Sequence, residues 1–460
     1  MPSSTTSATK GDNVFDPHGV TTPFRVRLLV CALASLLCSE RLAIADTHTA
    51  ADLTPEGVWE AIDAAKDGDT VQLPAGTAVW SKGWNSGHGA KMKAITIQGA
   101  GIDKTIIGDD RAKPDAPPFL LLGVEGKPFR VTGITLEGTG YRNAGNWGGL
   151  MEIRGTCKQF RIDHCKFKDT DHMLVIHGDT YGLVDHCRFE AHESHGGNVQ
   201  PVDFSGPGGA NYRKPLSLGT DQAMYFEDSE VYIAQSAGAK GRRSGNNPWI
   251  APNHCARIVV RYNRIVNAEL EIYGPGRNGQ YGCQQCEIYE NQFSVDDNTP
   301  QIIIGIAGGV GIVFNNTVTG KAYNPREIEL RNHRAYYVMR GSPFGKADGT
   351  NPIDGNQIPA GQVGAGYPCM GQPGRATDLD GDGIFEPTPC YAWNNTINGE
   401  KLLMAVARND ANQTAQIKEG RDFFNRKPPA ESYKPYTYPH PLQGGWDALM
   451  KSVTGPVGAN

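Results

Sequence analysis

The chain has 460 residues and a formal net charge of −5, from 44 basic and 49 acidic side chains. A charge balance this close to neutral offers no broad basic surface, so a nucleic-acid partner is not expected. Glycine (57) and proline (30) are abundant. This composition suits many short strands joined by turns and argues against a coiled coil.

Residues 1–45 have the pattern of a secretion signal preceded by an N-terminal extension. Arg25 and Arg27 precede the apolar stretch from Leu28 to Leu37, which is too short to span a bilayer, and Ala43-Ile44-Ala45 is a small–x–small cleavage site. The alternative is a buried apolar segment. We expect a secreted or periplasmic protein that acts as a monomer and does not insert into the membrane.

The segment 54–80 predicts a helix followed by a strand. Thr54 is a suitable N-cap and Pro55 suits the first helical position. The helix is expected to end at Asp67-Gly68, before a strand from Thr70 to Leu73. Because the open end of a repeat array exposes its core, this helix is predicted to cap the coils that follow.

A repeat occupies the chain from residue 130 to residue 397. Aligned on its last position, which is apolar in every copy, it gives Leu136, Phe167, Phe189, Val231, Ile265, Phe293, Val318 and Ile397. The position five residues earlier is also apolar. A third column lies between these two positions, and its last four members are Asn263, Asn291, Asn316 and Asn395. Matching columns at this period indicate a solenoid, in which each coil buries its face against its neighbours.

GDTVQLPAGT (68–77) and KAITIQGAGIDKTII (93–107) follow the predicted helix, and the later coils read DHC[KR]F, RYNRI and FNNT. To about residue 320 the chain resembles the pectate-lyase-like proteins, whose fold is a single-stranded right-handed parallel β-helix. The resemblance implies an all-β solenoid with an N-terminal helical cap at 46–320 and an asparagine ladder. A loop-rich C-terminal region would then occupy 321–460, with a late coil at 391–397. The superfamily contains lyases, hydrolases, epimerases, esterases and adhesins, so the fold does not select the reaction.

A second strand pattern predicts the reactive surface. LMEIRG (150–155), MLVIHG (173–178) and ELEIYG (269–274) each place an isoleucine inward, so strand alternation points Arg154, His177 and Tyr273 outward in one column. The column two positions earlier, also outward, contains Glu152 and Glu271. The alternative is that all of these are exposed residues of a solvated sheet face.

These residue types suit β-elimination on a uronic acid. That reaction needs a cation for the carboxylate, a base for the C5 proton and an acid for the leaving oxygen. Arg154, His177 and Tyr273 are assigned these roles in that order, although the insertions between coils leave the distance from His177 to Tyr273 open. The preferred function is a secreted polysaccharide lyase acting on an acidic polysaccharide.

Two other functions remain open on the same scaffold. A glycoside hydrolase would draw its carboxylates from Glu152, Glu271 and Asp203. A non-catalytic polysaccharide-binding or adhesin-type protein would use the same face without chemistry.

The loop 235–252 carries the densest group of basic residues after the leader. Lysine and arginine serve as base and carboxylate anchor in several β-helix lyases, so the resemblance makes Lys240, Arg242 and Arg261 rival catalytic residues. The alternative for this loop is a flexible, solvated segment.

The segment 378–386 resembles the first half of a calcium loop. Asp378, Asp380 and Asp382 alternate along it, and Glu386 follows at the ninth position. Alternating carboxylates converge on a hard cation, so a structural calcium site is predicted. Pro389 replaces the bidentate glutamate of an EF-hand, and the alternative is an acidic turn.

Ten cysteines are present, eight of them after the leader. Cys369 and Cys390 flank the acidic loop and are the preferred disulfide pair for an oxidising compartment. The CxxC motif at 283–286 is either a tight bridge or half of a metal site. Cys165 and Cys187 share a repeat column and should stack in adjacent coils, either bridged or simply buried.

Overall fold

The computed structural model describes residues 45–81, 90–110, 117–138, 149–192, 199–234, 249–276, 281–295, 302–320, 327–336, 343–407, 410–429 and 432–454. Residues 1–44 of the predicted signal and extension (residues 1–45) lie outside these residues. Among the helices that are described, none combines the length and hydropathy needed to cross a bilayer.

The chain winds as a right-handed parallel β-helix, in which each complete coil contributes one short strand to each of three sheets. Successive coils pair in parallel, strand on equivalent strand, and the chain visits sheet C, then sheet A, then sheet B in each turn. Strands are numbered below in chain order. The all-β parallel β-helix predicted from the sequence is therefore confirmed.

Sheet A has twelve strands within the described residues. They are β1 (Thr47–Thr49), β2 (Thr70–Gln72), β5 (Thr96–Gln98), β8 (Phe129–Thr132), β11 (Phe160–Asp163), β14 (Gly182–Asp185), β17 (Met224–Glu227), β20 (Arg257–Arg261), β23 (Gln285–Tyr289), β26 (Val310–Phe314), β31 (Cys390–Trp393) and β35 (Phe423–Asn425).

Sheet B has eleven strands in the same part of the chain, and its last strand runs antiparallel to its neighbour. They are β3 (Gly76–Trp80), β6 (Thr105–Asp109), β9 (Thr135–Gly138), β12 (Lys166–Lys168), β15 (Arg188–Ala191), β18 (Glu230–Ile233), β21 (Arg264–Val266), β24 (Gln292–Val295), β27 (Thr317–Gly320), β32 (Thr396–Ile397) and β33 (Glu400–Lys401).

Sheet C has ten described strands. They are β4 (Ala90–Lys91), β7 (Phe119–Gly123), β10 (Met151–Gly155), β13 (His172–His177), β16 (Gln200–Ser205), β19 (Trp249–Asn253), β22 (Glu269–Ile272), β25 (Ile304–Ile306), β28 (Glu327–Leu330) and β34 (Leu403–Val406). Strands therefore continue in all three sheets beyond residue 320, around a long excursion between β28 and β31. This excursion contains an antiparallel hairpin of β29 (Arg375–Thr377) and β30 (Glu386–Pro387).

The N-terminal helix α1 (Pro55–Ala64) has the predicted cap, because the Thr54 hydroxyl accepts a hydrogen bond from the backbone N–H of Gly57 at 3.1 Å. It ends three residues before the predicted Asp67, where the chain turns toward β2. Strand β1 precedes the helix, and three residues are too few to give a periodic signal in the sequence. The remaining described helices are α2 (His333–Tyr336), α3 (Ala411–Gln416), α4 (Pro441–Thr454) and a 3₁₀ turn (Gly209–Arg213).

Residues that share a repeat column in the sequence stack on one another in successive coils. Phe167 pairs in register with Phe189, and their rings lie 4.9 Å apart at an interplanar angle of 5°. The asparagine column forms a buried ladder, in which Asn263, Asn291 and Asn316 each donate to the side-chain oxygen of the next asparagine at 2.9–3.0 Å. The ladder satisfies polar groups at the sharp turn between sheets A and B, where one residue per coil adopts a positive φ.

The C-terminal segment 432–454 packs across the outer face of sheet A. Arg261 is fully buried there: its Nε pairs with Glu227 Oε2 at 2.5 Å, and its guanidinium donates to the carbonyls of Tyr436 and Thr437 at 2.7 and 2.9 Å. Arg261 therefore anchors this segment and is not on a surface that a substrate reaches. Its proposed role as a rival catalyst is corrected accordingly.

The eight cysteines after the leader are all free and buried. The predicted pairing of Cys369 with Cys390 is wrong, because Cys390 points into the core, where its sulfur accepts a hydrogen bond from the N–H of Gly311 at 3.3 Å. The CxxC cysteines are also unbridged, and the thiol of Cys283 donates to backbone carbonyls. Cys165 and Cys187 are stacked, buried thiols, the second of the two alternatives that the sequence left open.

Candidate functional site

The outer face of sheet C carries the residues that the sequence selected. The register of the strands defines a first outward column on this face, with one residue from each strand from β10 to β28. In strand order, this first column is Glu152, Val175, Asp203, Ala251, Glu271, Gly305 and Glu329. The neighbouring column, at the ends of the strands, is Arg154, His177, Ser205, Asn253 and Tyr273. Carboxylates thus alternate with small or apolar residues along the first column.

Arg154 and His177 are neighbours in this arrangement, but Tyr273 is not near them. Strands β16 and β19 separate Tyr273 from His177, a distance of about 14 Å at a strand spacing of about 4.8 Å. The predicted triad therefore divides into an Arg154–His177 pair and a distant tyrosine.

Glu152 links the pair. Its carboxylate Oε1 accepts a hydrogen bond from Arg154 Nε and lies 4.0 Å from His177 Nε2, while its side chain is almost completely buried. Two buried atoms of this group, Glu152 Oε2 and His177 Nε2, have no hydrogen-bond partner within the part of the chain that the structure describes. Because buried polar groups are normally satisfied, their convergence marks a place where a ligand or a reacting group can supply the bond.

Asp203 is the second carboxyl of the cluster. Burial, aided by the charge of Glu152, raises the pKa of Asp203 to about 7, despite a contact with Ser205 Oγ at 3.5 Å. A carboxyl with this pKa is about half protonated at neutral pH and can donate a proton. Burial also raises the pKa of Glu152, although Arg154 opposes the shift.

The imidazole of His177 is neutral at pH 7. Burial, with further contributions from the nearby Arg154 and His254, lowers the pKa of His177 to about 4. Ser205 Oγ donates to Asn253 Oδ1 at 2.8 Å and lies 3.3 Å from His254 Nδ1. The cluster therefore combines two carboxyls of raised pKa, one guanidinium and uncharged imidazoles.

Ser205, Asn253 and His254 were not identified from the sequence. The long insertion between β16 and β19 separates Ser205 from the other two by almost fifty positions. The sequence signal was the polar residue at the end of β10, β13, β16 and β19, and that signal can be read only when the register is known.

A second acidic group lies further along the sheet. Arg331 donates to Glu271 Oε1 and pairs with Glu329 Oε1 at 3.0 Å. The Tyr273 ring is 5.9 Å from that of His333. Burial raises the pKa of Tyr273, and the Glu271 charge adds to the shift, so this phenol is a poor proton donor at neutral pH. Glu271 is thus occupied by an arginine and is remote from Arg154.

Lys240 and Arg242 lie outside the described residues. The structure therefore gives no position for either, and their catalytic role stays a prediction.

The acidic loop joins β29 to β30 in the hairpin. One ligand atom from each of Asp378, Asp380 and Asp382 lies within 4.8 Å of the others. Glu386 closes the same loop: its Oε1 accepts from the N–H of Leu379 at 2.6 Å, and its buried Oε2 has no hydrogen-bond partner among the described residues. Glu386 is not part of the converging group, which consists of the three aspartates. Carboxylate oxygens are the ligands that Ca²⁺ prefers, so these three residues fit this ion.

Comparison with known protein families gives no match, and no curated protein matches the chain. Similar chains are found among solved structures. An alginate lyase from Paenibacillus sp. str. FPU-7 is 13% identical with a TM-score of 0.30, covering 78% of this chain and 99% of the lyase. The catalytic domain of a GH87 alpha-1,3-glucanase in complex with nigerose is 11% identical with a TM-score of 0.31, covering 83% of this chain and 67% of the glucanase. At these scores neither similarity carries an argument about activity, and the resemblance to the pectate-lyase-like branch stays a prediction.

Proposed function

We propose that this protein is a carbohydrate-active enzyme that cleaves glycosidic bonds of a polysaccharide at the outer face of sheet C. The observation that carries the proposal is the placement of Glu152, His177 and Asp203 on three successive strands of one face. Among the described residues, the buried atoms Glu152 Oε2 and His177 Nε2 have no hydrogen-bond partner, and the charge of Glu152 acts on Asp203. Buried carboxyls of raised pKa beside a neutral imidazole on an outward sheet face are typical of sites that transfer protons.

The geometry supports hydrolysis best. Asp203 donates its proton to the glycosidic oxygen as that bond breaks, while Glu152 accepts a proton from the water that attacks the anomeric carbon. One strand lies between β10 and β16, so the Cα atoms of the two residues are about 10 Å apart. Inverting glycosidases hold their carboxyl groups about 6.5–9.5 Å apart to leave room for that water. A retaining mechanism needs carboxyl groups only about 5–5.5 Å apart, so the two side chains would have to converge to about half of their Cα separation, and inversion is the outcome we propose.

β-Elimination is the second candidate, favoured by the adjacent Arg154 and His177. In this reaction Arg154 binds the uronate carboxylate and neutral His177 removes the C5 proton. The C–H electron pair then forms the C4–C5 double bond and expels the oxygen at C4, which takes a proton from Asp203. Tyr273, the acid predicted from the sequence, is too distant to serve in this step.

The deciding experiment incubates the protein with a panel of neutral and acidic polysaccharides and identifies the products by mass spectrometry. Saturated oligosaccharides that carry one added water support hydrolysis, whereas unsaturated ends that absorb in the ultraviolet support elimination. The cleavage should disappear in Asp203→Asn and persist in His192→Ala, an exposed histidine directly after strand β15 of sheet B. If a polysaccharide binds without being cut, the binding or adhesin alternative replaces the enzyme.

A further inference from the structure

A cavity of about 420 Å³ lies beside the turns that connect sheet C to sheet A. Its lining includes Lys158, Asp179, Tyr181, Lys214, Asp221 and Arg257. Lys158 follows β10 and Asp179 follows β13, so the cavity is built on turns that differ from the strand positions of the candidate active site. None of its lining residues has a part in the proposed reaction.

Arg257 is the unusual residue of this cavity. Its side chain is buried, with 3% exposure, yet its hydrogen bonds within the described residues go to neutral groups. Its Nε donates to Gln284 Oε1 and its Nη2 to the carbonyl of Pro215, both at 2.9 Å. Among the described residues its Nη1 has no hydrogen-bond partner.

Other buried arginines of the same protein form ion pairs with carboxylates of the chain. Arg161 pairs with Asp185, Arg261 with Glu227, and Arg334 with Asp354, each through a buried carboxylate. Removing a guanidinium from water is costly unless an anion compensates it, and the protein supplies that anion in these three cases. At Arg257 the described residues supply none, which indicates that the anion comes from outside the chain.

The other cations of the cavity agree with this interpretation. Lys158 Nζ lies 2.7 Å from Asp179 Oδ1 and 4.3 Å above the Tyr181 ring, so these two charges compensate each other. Lys214 forms no ion pair within the described residues and is exposed at the cavity. When the exposed Asp221 is counted as a full negative charge together with Asp179, the positive charges of Lys158, Lys214 and Arg257 still exceed the negative charges of the lining.

We propose that this cavity is a binding site for an oxyanion group, a carboxylate or a sulfate, held by the open edge of Arg257 and the ammonium group of Lys214. A planar guanidinium presents parallel N–H donors that match the oxygens of such a group, and lysine adds a point charge. The ligand is either a free inorganic anion or the acidic group of a saccharide. The proposal stands independently of the reaction at Glu152 and Asp203.

The test measures binding of sodium sulfate, glucuronate and glucose to the full chain by isothermal titration calorimetry, at ionic strength held constant with chloride. Sulfate or glucuronate should bind saturably, and glucose should not. Lys214→Ala should weaken the binding about tenfold through the loss of one charged contact. Arg257→Gln should abolish it, while Lys104→Ala, an exposed lysine outside the cavity, should bind like the wild type.

Competition between the two anions shows whether the natural ligand is a free inorganic anion or the acidic group of a saccharide. If sulfate displaces glucuronate, the site accepts a saccharide carboxylate; if sulfate alone binds, it takes a free anion. Because Arg257 is buried and its variant can fail to fold, Lys214→Ala, at an exposed position, decides the matter. The proposal is overturned if neither anion binds saturably, if Lys214→Ala and wild type have equal affinities, or if glucose binds as tightly as glucuronate.

Discussion

Glu152 and Asp203 occupy the same outward column of sheet C, separated by the single strand that carries Val175. The charge of one contributes to raising the pKa of the other. Two carboxyls that influence each other in a buried site divide naturally into a proton donor and a proton acceptor.

Replacing either carboxyl should remove the cleavage activity. Asp203→Asn and Glu152→Gln are each expected to lower kcat by about 10²–10⁴, the usual contribution of a positioned acid or base. Because the donor must be protonated, the wild-type kcat/KM should fall as the pH rises above about 7. Glu137→Gln, at a half-buried carboxylate on sheet B, is the matched control. A full-rate Asp203→Asn enzyme would contradict the assignment.

The same carboxyl should destabilise the fold at high pH. In the folded protein Asp203 keeps its proton up to about pH 7, whereas in the unfolded chain it ionises near pH 4. Between these pH values, ionisation of Asp203 in the unfolded chain increasingly favours unfolding. Above pH 7 the resulting loss of folding stability has reached its full size. Asp203→Asn should raise the Tm relative to wild type at pH 8 and leave it nearly unchanged at pH 4. Equal Tm values at both pH values would show that Asp203 is not buried in this way.

The asparagine ladder should be a main source of stability. Asn291→Ala removes donors to the carbonyl of Val260 and to Asn316, and leaves the backbone N–H of Asn263 unsatisfied in the core. We expect a loss of about 3 kcal/mol in the free energy of unfolding, measured by chemical denaturation. Gln292→Ala, the exposed amide next in the chain, should cost less than about 0.5 kcal/mol. Similar losses for both variants would contradict the role of the ladder.

Arg261 should prove structural. Arg261→Ala leaves Glu227 buried without its partner and releases residues 436–437, so a loss of about 3–5 kcal/mol is expected. The specific activity of the fraction that remains folded should be unchanged at low temperature. Arg264→Ala, an exposed arginine on sheet B, should cost less than about 1 kcal/mol. Loss of activity in a fully folded Arg261→Ala protein would return this residue to the list of catalysts.

The acidic loop should bind calcium. Ca²⁺ is expected to raise the Tm, and a chelator is expected to lower it. An ion that binds the folded protein and not the unfolded chain stabilises the folded protein by mass action. Asp380→Asn should reduce this calcium-dependent shift, whereas Asp63→Asn, at an exposed position on α1, should retain it. A Tm that does not respond to Ca²⁺ in the wild type would leave the alternative of an acidic turn.

The repeat in the sequence is enough to predict the solenoid and its columns. Phe167 and Phe189, or Asn263 and Asn291, are close in space because each coil repeats the same local pattern, so the spacing along the chain sets the position in the stack. It also selected Arg154, His177 and Glu152, because neighbouring coils without long insertions place like residues side by side.

Which of the other residues meet depends on tertiary packing. Two coils, which contribute β16 and β19, lie between His177 and Tyr273, so Tyr273 is far from His177. The coil that follows the insertion after β16 brings His254 beside Ser205. The burial of Arg261 depends on a segment 175 positions later in the chain, and the free thiol of Cys390 depends on the direction of one side chain. Contacts of this kind depend on how distant segments pack, and no local pattern in the sequence encodes them.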